Sequence, residues 1–233
     1  MATIVITGIS KGIGRALTDY FLSVGGHHVI GLSRGSNLMA TEGGPEMDAG
    51  AEFTHVELDM TEEGELEGFI RMLKGMGIRP DVLINNAGMM LNKPFGEITG
   101  AEVDEVLAVN FRAPFLLTRM LLPLMNRPAH IVNISSMGGI MGSVKFPGLS
   151  LYSASKGALS ILTEALAEEL KEEGISVNAL APGSVQTEML EEVFPGYKAP
   201  VTPEEMASFI GHFALTGHRF FNGKVLPVAV STP

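Results

Sequence analysis

Tyr152-Ser153-Ala154-Ser155-Lys156 sets a phenol and an ammonium four residues apart, on one face of a predicted helix. A phenol titrates near pH 10, poorly matched to proton exchange near neutrality. A cation at about 4 Å, in a medium of effective dielectric near 20, favours the phenolate by up to about 4 kcal/mol, or about three pKa units before solvent screening. The pair is suited to give a proton to a reacting oxygen or to take one from it. With only 3 Tyr in the chain the spacing can still arise by chance, so its weight comes from its surroundings. Upstream, Ile131-Val132-Asn133-Ile134 reads as a buried strand ending in two hydroxyls, Ser135 and Ser136, and Val109-Asn110 lies inside a predicted long helix.

A second constellation lies near the N-terminus, where Thr7-Gly8-Ile9-Ser10-Lys11-Gly12-Ile13-Gly14 follows a predicted strand and opens a predicted helix. Glycines there permit positive φ and close approach of backbone N–H groups to a phosphate, which the helix dipole also favours. The G-x-G-x-x-G spacing is absent, since Leu17 stands where a third glycine would be. About 20 residues past the turn, where a dinucleotide fold reads the ribose 2′ position, stands Arg34. An acid there would accept from ribose hydroxyls and repel a phosphate, whereas Arg offers a planar fork of donors to phosphate oxygens. Lys11 adds a second cation; the alternative is that both are solvated surface charges. The same turn, and Gly31-Leu32-Ser33-Arg34-Gly35, also fit the G-x-S-x-G elbow of serine hydrolases, with Ser10 or Ser33 as nucleophile. Two such matches in a chain with 28 Gly argue for coincidence, and no HGGG-type oxyanion loop accompanies them.

The frame for these residues is a run of short, apolar, β-branched segments: Thr3–Thr7, His28–Ser33, Glu52–Leu58, Val82–Ile84, His130–Ile134, Ile175–Leu180 and Val225–Val230. Helical patterns alternate with them at Ile13–Ser23, Glu62–Lys74, Ala101–Met125, Leu151–Glu172 and Pro203–Leu215, with Thr61, Thr99 and Thr202 as caps. Such alternation implies right-handed crossovers and an α/β, Rossmann-like, doubly wound parallel sheet of about seven strands with helices on both faces. Its ligand should lie beyond the carboxyl ends of the strands. A single domain spanning residues 1–233 is expected, with looser stretches at Gly35–Gly50 and Gly183–Ala199 and a substrate-loop excursion at about 184–203.

Composition narrows the function. The 233 residues are 45% hydrophobic and 18% charged, as in a folded globular protein. A formal charge of −10 argues against nucleic acid or an anionic membrane as partner. The lack of Cys removes disulfides, thiolate metal sites and cysteine nucleophiles. His27, His28, His55, His130, His212 and His218 show no metal-binding spacing and are expected to be structural or at the surface. No stretch approaches the roughly 20 apolar residues of a membrane span, Phe115–Met125 being cut by Thr118, Arg119 and Pro123. The N-terminus lacks the pattern of a secretory signal, so a cytoplasmic protein is expected.

The spacing Thr-Gly-x-x-x-Gly-x-Gly resembles that of the short-chain dehydrogenase/reductase family. Further matches follow in chain order: Leu58-Asp59-Met60-Thr61, Asn85-Asn86-Ala87-Gly88, Asn110, Ser136, Tyr152 with Lys156, and Pro182-Gly183-Ser184-Val185-Gln186-Thr187. The resemblance implies an NADP(H)-dependent oxidoreductase acting on a small carbonyl or alcohol, with Tyr152 as general acid/base. By the same resemblance Lys156 holds the nicotinamide ribose, Ser136 rather than Ser135 bonds the substrate oxygen, and Asn110 places a water that relays protons to Lys156. It puts the cofactor on Gly8, Ser10, Lys11, Gly12, Ile13 and Gly14, with Lys11 and Arg34 basic as in NADP-preferring members. Asp59 and Met60 fall beside the adenine, though Asp59 serves equally well as a cap for the next helix. Asn86 would steady the sheet while Ala87 and Gly88 pass under the ribose. Pro182, Gly183, Val185 and Thr187 would surround the nicotinamide. Ser136 and Tyr152 lie 16 residues apart, a few more than is usual, which implies a longer substrate wall at Val144–Ser150. The lid segment Glu188–Pro200 is short, and the last strand is not followed by the family's Gly-Gly turn. A homodimer through the helices starting near Ala101 and Leu151 is therefore expected before a homotetramer. The rival reading is a catalytically silent NADP(H)-binding sensor or scaffold, against which the intact set Asn110, Ser136, Tyr152 and Lys156 argues.

Overall fold

Alternation along each apolar run decides which side of the sheet a side chain reaches. The structure, a computed structural model, describes residues 1–35 and 50–230. Seven strands, β1 (Ala2–Thr7), β2 (His27–Ser33), β3 (Glu52–Glu57), β4 (Val82–Asn85), β5 (Ala129–Ile134), β6 (Ile175–Pro182) and β7 (Val225–Val228), pair in parallel in the order β3-β2-β1-β4-β5-β6-β7. Ile4, Ile6, Ile84 and Val132 pack with Leu17 and Phe21 of α1 (Gly12–Val24) and with Ile210 and Ala214 of α7 (Pro203–Thr216). Val5, Leu83, Ile131 and Val177 face the other layer, where Leu66, Phe69 and Leu73 of α2 (Glu63–Met76), Leu117 of α4 (Ala113–Leu121) and Ala167 of α5 (Ser150–Glu169) cover them. Gly211 lets the Tyr20 ring lie directly against α7, closing the first layer. Strand order reverses between β1 and β4, and a crevice opens there at the carboxyl edge.

Four local expectations change. The predicted helix Ala101–Met125 divides into α3 (Gly100–Leu107), a π turn at Ala108–Arg112, and α4. Pro114 has no N–H for the carbonyl of Asn110 four residues earlier, and Ala113 N bonds Ala108 O instead. Thr61 is not a cap: Glu62 occupies that position at α2, and Thr61 instead donates its N–H and hydroxyl to Asp59 Oδ1 at 2.9 and 2.7 Å. Thr99 and Thr202 do cap α3 and α7, each in a capping box with Glu102 or Glu205. The stretch Gly183–Ala199 contains a short helix, α6 (Glu188–Val193), because Thr187 accepts from Leu190 N and acids occupy its first turn. Finally, β7 stops at Val228 rather than Val230, since its partner β6 ends opposite it at Pro182. Of the other stretch expected to be loose, residues 36–49 lie outside the described residues.

His130 is buried in this frame: its Nδ1 donates to Ala214 O at 2.9 Å and its Nε2 accepts from Asn178 Nδ2 at 3.0 Å, tying α7 to β5 and β6. Burial brings its pKa down to about 4, whereas an unfolded His titrates near 6.5. Between those values the unfolded chain holds more protons, so the stabilisation from neutral His130 is complete above pH about 6.5 and is lost as pH falls towards 4. Urea unfolding is expected to show stability dropping by about 2 kcal/mol from pH 7 to pH 5 through this group. In His130→Gln, which keeps a donor and an acceptor, that drop should shrink; an undiminished drop would place the linkage elsewhere.

Candidate active site

A cleft of about 970 Å³ runs along the carboxyl edge of the sheet. Its floor at one end is the glycine turn. Gly8 (φ 72°) and Gly12 (φ 56°) use left-handed backbone, and a Cβ on Gly8 would lie 2.7 Å from Ala87 Cα. Lys11 makes no side-chain cap to α1, so among the described residues the first N–H groups of that helix are left open beside the cleft, an arrangement suited to an anion. The turn is sutured to the loop after β4: Thr7 Oγ1 accepts from Asn86 N and Ala87 N at 3.0 and 2.9 Å, and Asn86 Nδ2 donates to Thr7 O and Gly8 O at 3.0 and 3.2 Å. Thr7 was not among the residues expected to matter, although it opens the motif. Ser10, Ile13, Gly14, Ala87 and Gly88 line the same floor. Narrow turns, small residues and an uncapped helix end suit a phosphate-linked dinucleotide.

Farther along, Arg34, Asp59 and Met60 line one end of the cleft. Burial alone would raise the Asp59 carboxyl, but the hydrogen bonds from Thr61 and the positive charge of Arg34 outweigh it and hold its pKa below the ordinary value. Lys11 lines the cleft too, and its Nζ pairs with Glu192 of α6 at 3.1 Å. Of the serines in the G-x-S-x-G matches, Ser33 is buried on β2 and bonded to His55 Nε2 at 2.9 Å. Neither is held as a hydrolase nucleophile elbow holds its serine: Ser33 ends an extended strand, and Ser10, although between β1 and α1, lacks the strained positive-φ backbone, which among the described residues only glycines adopt.

The remaining groups meet at the end of β5. Ser135 spends its hydroxyl inward, on Lys156 O and Ser160 Oγ at 3.0 and 2.9 Å, which fixes α5 to β5. Ser136 accepts from Gly138 N at 3.1 Å and shares a hydrogen bond with the Tyr152 hydroxyl. Gly139 lets α5 approach, because a Cβ there would lie 2.7 Å from the Lys156 carbonyl carbon. Lys156 Nζ donates to Ile134 O at 2.8 Å and lies 6.0 Å from the centre of the Tyr152 ring. Asn110, fully buried in the π turn, donates to Met89 O and Ser155 Oγ at 2.9 Å each and accepts from Met89 N at 2.8 Å. A Cβ on Gly88 would lie 3.1 Å from Lys156 Nζ and 3.3 Å from Asn110 Oδ1, so the loop after β4 borders both.

The expected lowering of the Tyr152 pKa by Lys156 is not found. Burial raises the phenol, only partly offset by the Ser136 bond, and burial lowers Lys156 to about 8. Both groups are taken out of water, and burial disfavours the charged form of each.

The far wall carries the Pro-Gly segment. Pro182 ends β6, and a Cβ on Gly183 would lie 2.8 Å from Ala229 Cβ. Val185 bridges Val201, closing the base of the lid, and Thr187 rests 3.2 Å from where a Gly12 Cβ would be. Met89, Met189, Phe194 and Tyr197 add side walls that the sequence did not single out by residue, although the last three lie within the expected lid Glu188–Pro200. The helical spacing of Glu188–Val193 before Pro195-Gly196 was the available signal for the lid portion. Among the described residues no group of three or more His, Asp or Glu is arranged to hold a metal ion, and no helix is long and apolar enough to cross a membrane.

Residues 2–198 match the sequence profile of the short chain dehydrogenase family. A 3-oxoacyl-[acyl-carrier-protein] reductase of Aquifex aeolicus (strain VF5) is 31% identical over 96% of this chain and 94% of its own length. A cyclopentanol dehydrogenase of Comamonas sp. (strain NCIMB 9872) is 38% identical over 61% of this chain and 56% of its own. Among solved structures, a 4-hydroxyisoleucine dehydrogenase mutant complexed with NADH and succinate is similar with a TM-score of 0.84 and 28% identity, over 99% of this chain and 98% of that one.

Proposed function

Since this chain belongs to the short-chain dehydrogenase/reductase family, we propose that it moves a hydride between NADP(H) and the carbonyl carbon of a small ketone or alcohol. The observation that carries this reading is the meeting of Tyr152, Ser136 and Lys156 in the cleft that the glycine turn also lines. A bound nicotinamide dinucleotide supplies the hydride; the chain supplies its berth and the proton. The fit rests on the side-chain-free floor at Gly8, Gly12, Gly14 and Gly88, the uncapped end of α1, and a cleft that no side chain of the described residues fills between them and Tyr152.

In the direction of reduction, the Tyr152 hydroxyl would give its proton to the carbonyl oxygen, which together with the hydride that a bound NADPH would supply to the carbon makes a ketone into a secondary alcohol. Ser136 bonds the same oxygen and keeps it in line with the phenol. Lys156 is the cation that stabilises the resulting phenolate, and it also holds ribose hydroxyls. Asn110 positions the loop of Met89 with its side chain. Its carbonyl, which Pro114 cannot pair, is the acceptor for a water that returns a proton towards Lys156. Pro182, Gly183, Val185 and Thr187 wall the nicotinamide end. Asp59 and Met60 flank the adenine, and Asn86 and Ala87 fix the turn beneath the dinucleotide. The chain acts as one catalytic domain, and exposed Phe115 of α4 and Ile161 of α5 support pairing with a second copy.

Assays with NADPH and a panel of ketones and aldehydes test the activity: cofactor oxidation supports the reading, and cofactor binding without turnover of any carbonyl would leave a sensor. Arg34 and Lys11 support the 2′-phosphate assignment, since the residue that follows β2 at the cleft is Arg34 rather than an acid. Arg34→Asp is expected to weaken NADPH binding by about 10- to 100-fold, the worth of a charge-assisted hydrogen bond, and NADH binding much less. Fluorescence titration of both cofactors measures this; equal losses would refute the assignment.

A further inference from the structure

We propose that the pocket beyond Tyr152 takes neutral, apolar ketones and secondary alcohols and rejects substrates bearing a free carboxylate or phosphate; this deepens, and rests on, the oxidoreductase reading. Three loops frame that pocket and are tied to one another. Lys93 N donates to Gly148 O at 3.0 Å, and Asn92 Nδ2 to Val193 O at 3.4 Å, so the loop after β4 is joined both to the wall before α5 and to the lid. From these loops Met90, Val144, Phe146, Met189, Phe194 and Tyr197 line the cleft. Val144, Phe146 and Tyr197 are 50, 46 and 47% exposed, so an apolar occupant removes substantial hydrocarbon surface from water there. The thioethers add polarizable, adaptable surface suited to substituents of varied shape.

The charges point the same way. Among the described residues lining the cleft, Lys11 and Arg34 stand at the glycine turn and the adenine end, and Lys156 is committed to Ile134 O. Two cations of the substrate loops are engaged internally, and a third, Lys198 of the lid, lies outside the cleft lining and close enough to Glu191 for its charge to favour that carboxylate. Lys93 pairs with Glu102 at 2.8 Å, and Lys145 donates to Ile140 O and Ser143 Oγ at 2.6 Å each. Beyond Lys156 the charged lining on the substrate and lid side is acidic among the described residues: Glu105, a carboxylate on the exposed side of α3, and Glu188 at the start of α6, near Gly12. An anionic substrate would lose its hydration without gaining a counter-ion and would face a like charge.

The test uses a matched pair, ethyl 4-oxopentanoate and 4-oxopentanoate, with the full chain and with NADPH and NADH each supplied at saturation. The ester is expected to exceed the free acid in kcat/KM by about a hundredfold or more, the scale set by stripping water from an unpaired carboxylate. Glu105→Lys should narrow the gap by about tenfold, and Phe146→Ala should lower kcat/KM for the ester by about tenfold while leaving cofactor affinity unchanged. Calorimetric titration of the cofactor-loaded Tyr152→Phe protein gives a readout free of turnover, with binding of the ester and none of the acid expected. Acid bound or reduced as well as the ester overturns the proposal even if turnover depends on Tyr152. Selective binding of the ester with no cofactor oxidation by the wild type would instead sink the oxidoreductase reading and leave the pocket chemistry standing.

Discussion

Tyr152→Phe is expected to lose about a thousandfold or more in kcat for ketone reduction while binding the cofactor as the wild type does. Phe retains the buried ring on α5 and removes only the hydroxyl that meets Ser136. The loss then measures the proton rather than the packing. Burial raises the Tyr152 pKa, so the phenol is protonated and competent to donate throughout the neutral range. Lys156, lowered to about 8, carries its charge at neutral pH and loses it as pH rises. Accordingly kcat/KM for reduction by the wild type should fall above pH about 8. A variant retaining a tenth of wild-type turnover would remove Tyr152 from the proposed role.

The second large effect comes from Gly14→Ala. In an exposed helix Ala is more stable than Gly by up to about 1 kcal/mol. Gly14 lies in the first turn of α1, however, where a Cβ would be driven into the Gly8 carbonyl and the Asn86 amide. Those groups hold the turn together through Asn86 Nδ2, so neither can move without opening the anion site. Overpacking of this kind costs about 1–3 kcal/mol or more, and cofactor affinity is expected to fall at least a hundredfold. Gly75→Ala in α2 is the matched control: a Cβ there meets nothing within 4 Å, and thermal unfolding should shift upward without change in cofactor binding. Wild-type affinity in Gly14→Ala would mean that the dinucleotide does not lie on this turn.

What was legible in the sequence was whatever is encoded by local spacing. The parallel α/β order followed from alternating runs, and Tyr152 with Lys156, the glycine turn and Arg34 could be named because each sits at a fixed distance along one element. Features that depend on residues distant in sequence were not. The protonation balance of Tyr152 and Lys156 is set by how much of the molecule covers them, so their spacing along the helix predicts a lowered phenol where burial raises it. Thr7 matters through bonds to residues 79 and 80 positions away. The π turn at Asn110 did have a local signal, Pro114, which the apolar periodicity of the long helix masked. The pocket walls at Met189, Phe194 and Tyr197 come from a lid whose closure depends on the Val185 to Val201 bridge.

Transfer of a labelled hydride decides whether the cleft passes hydride from cofactor to ketone. With NADPH carrying deuterium at both C4 positions, reduction of ethyl 4-oxopentanoate should place one deuteron on the carbinol carbon of the product, with the hydroxyl proton drawn from solvent. An unlabelled carbinol, or an oxidised cofactor pool that forms without labelled alcohol, would contradict the account.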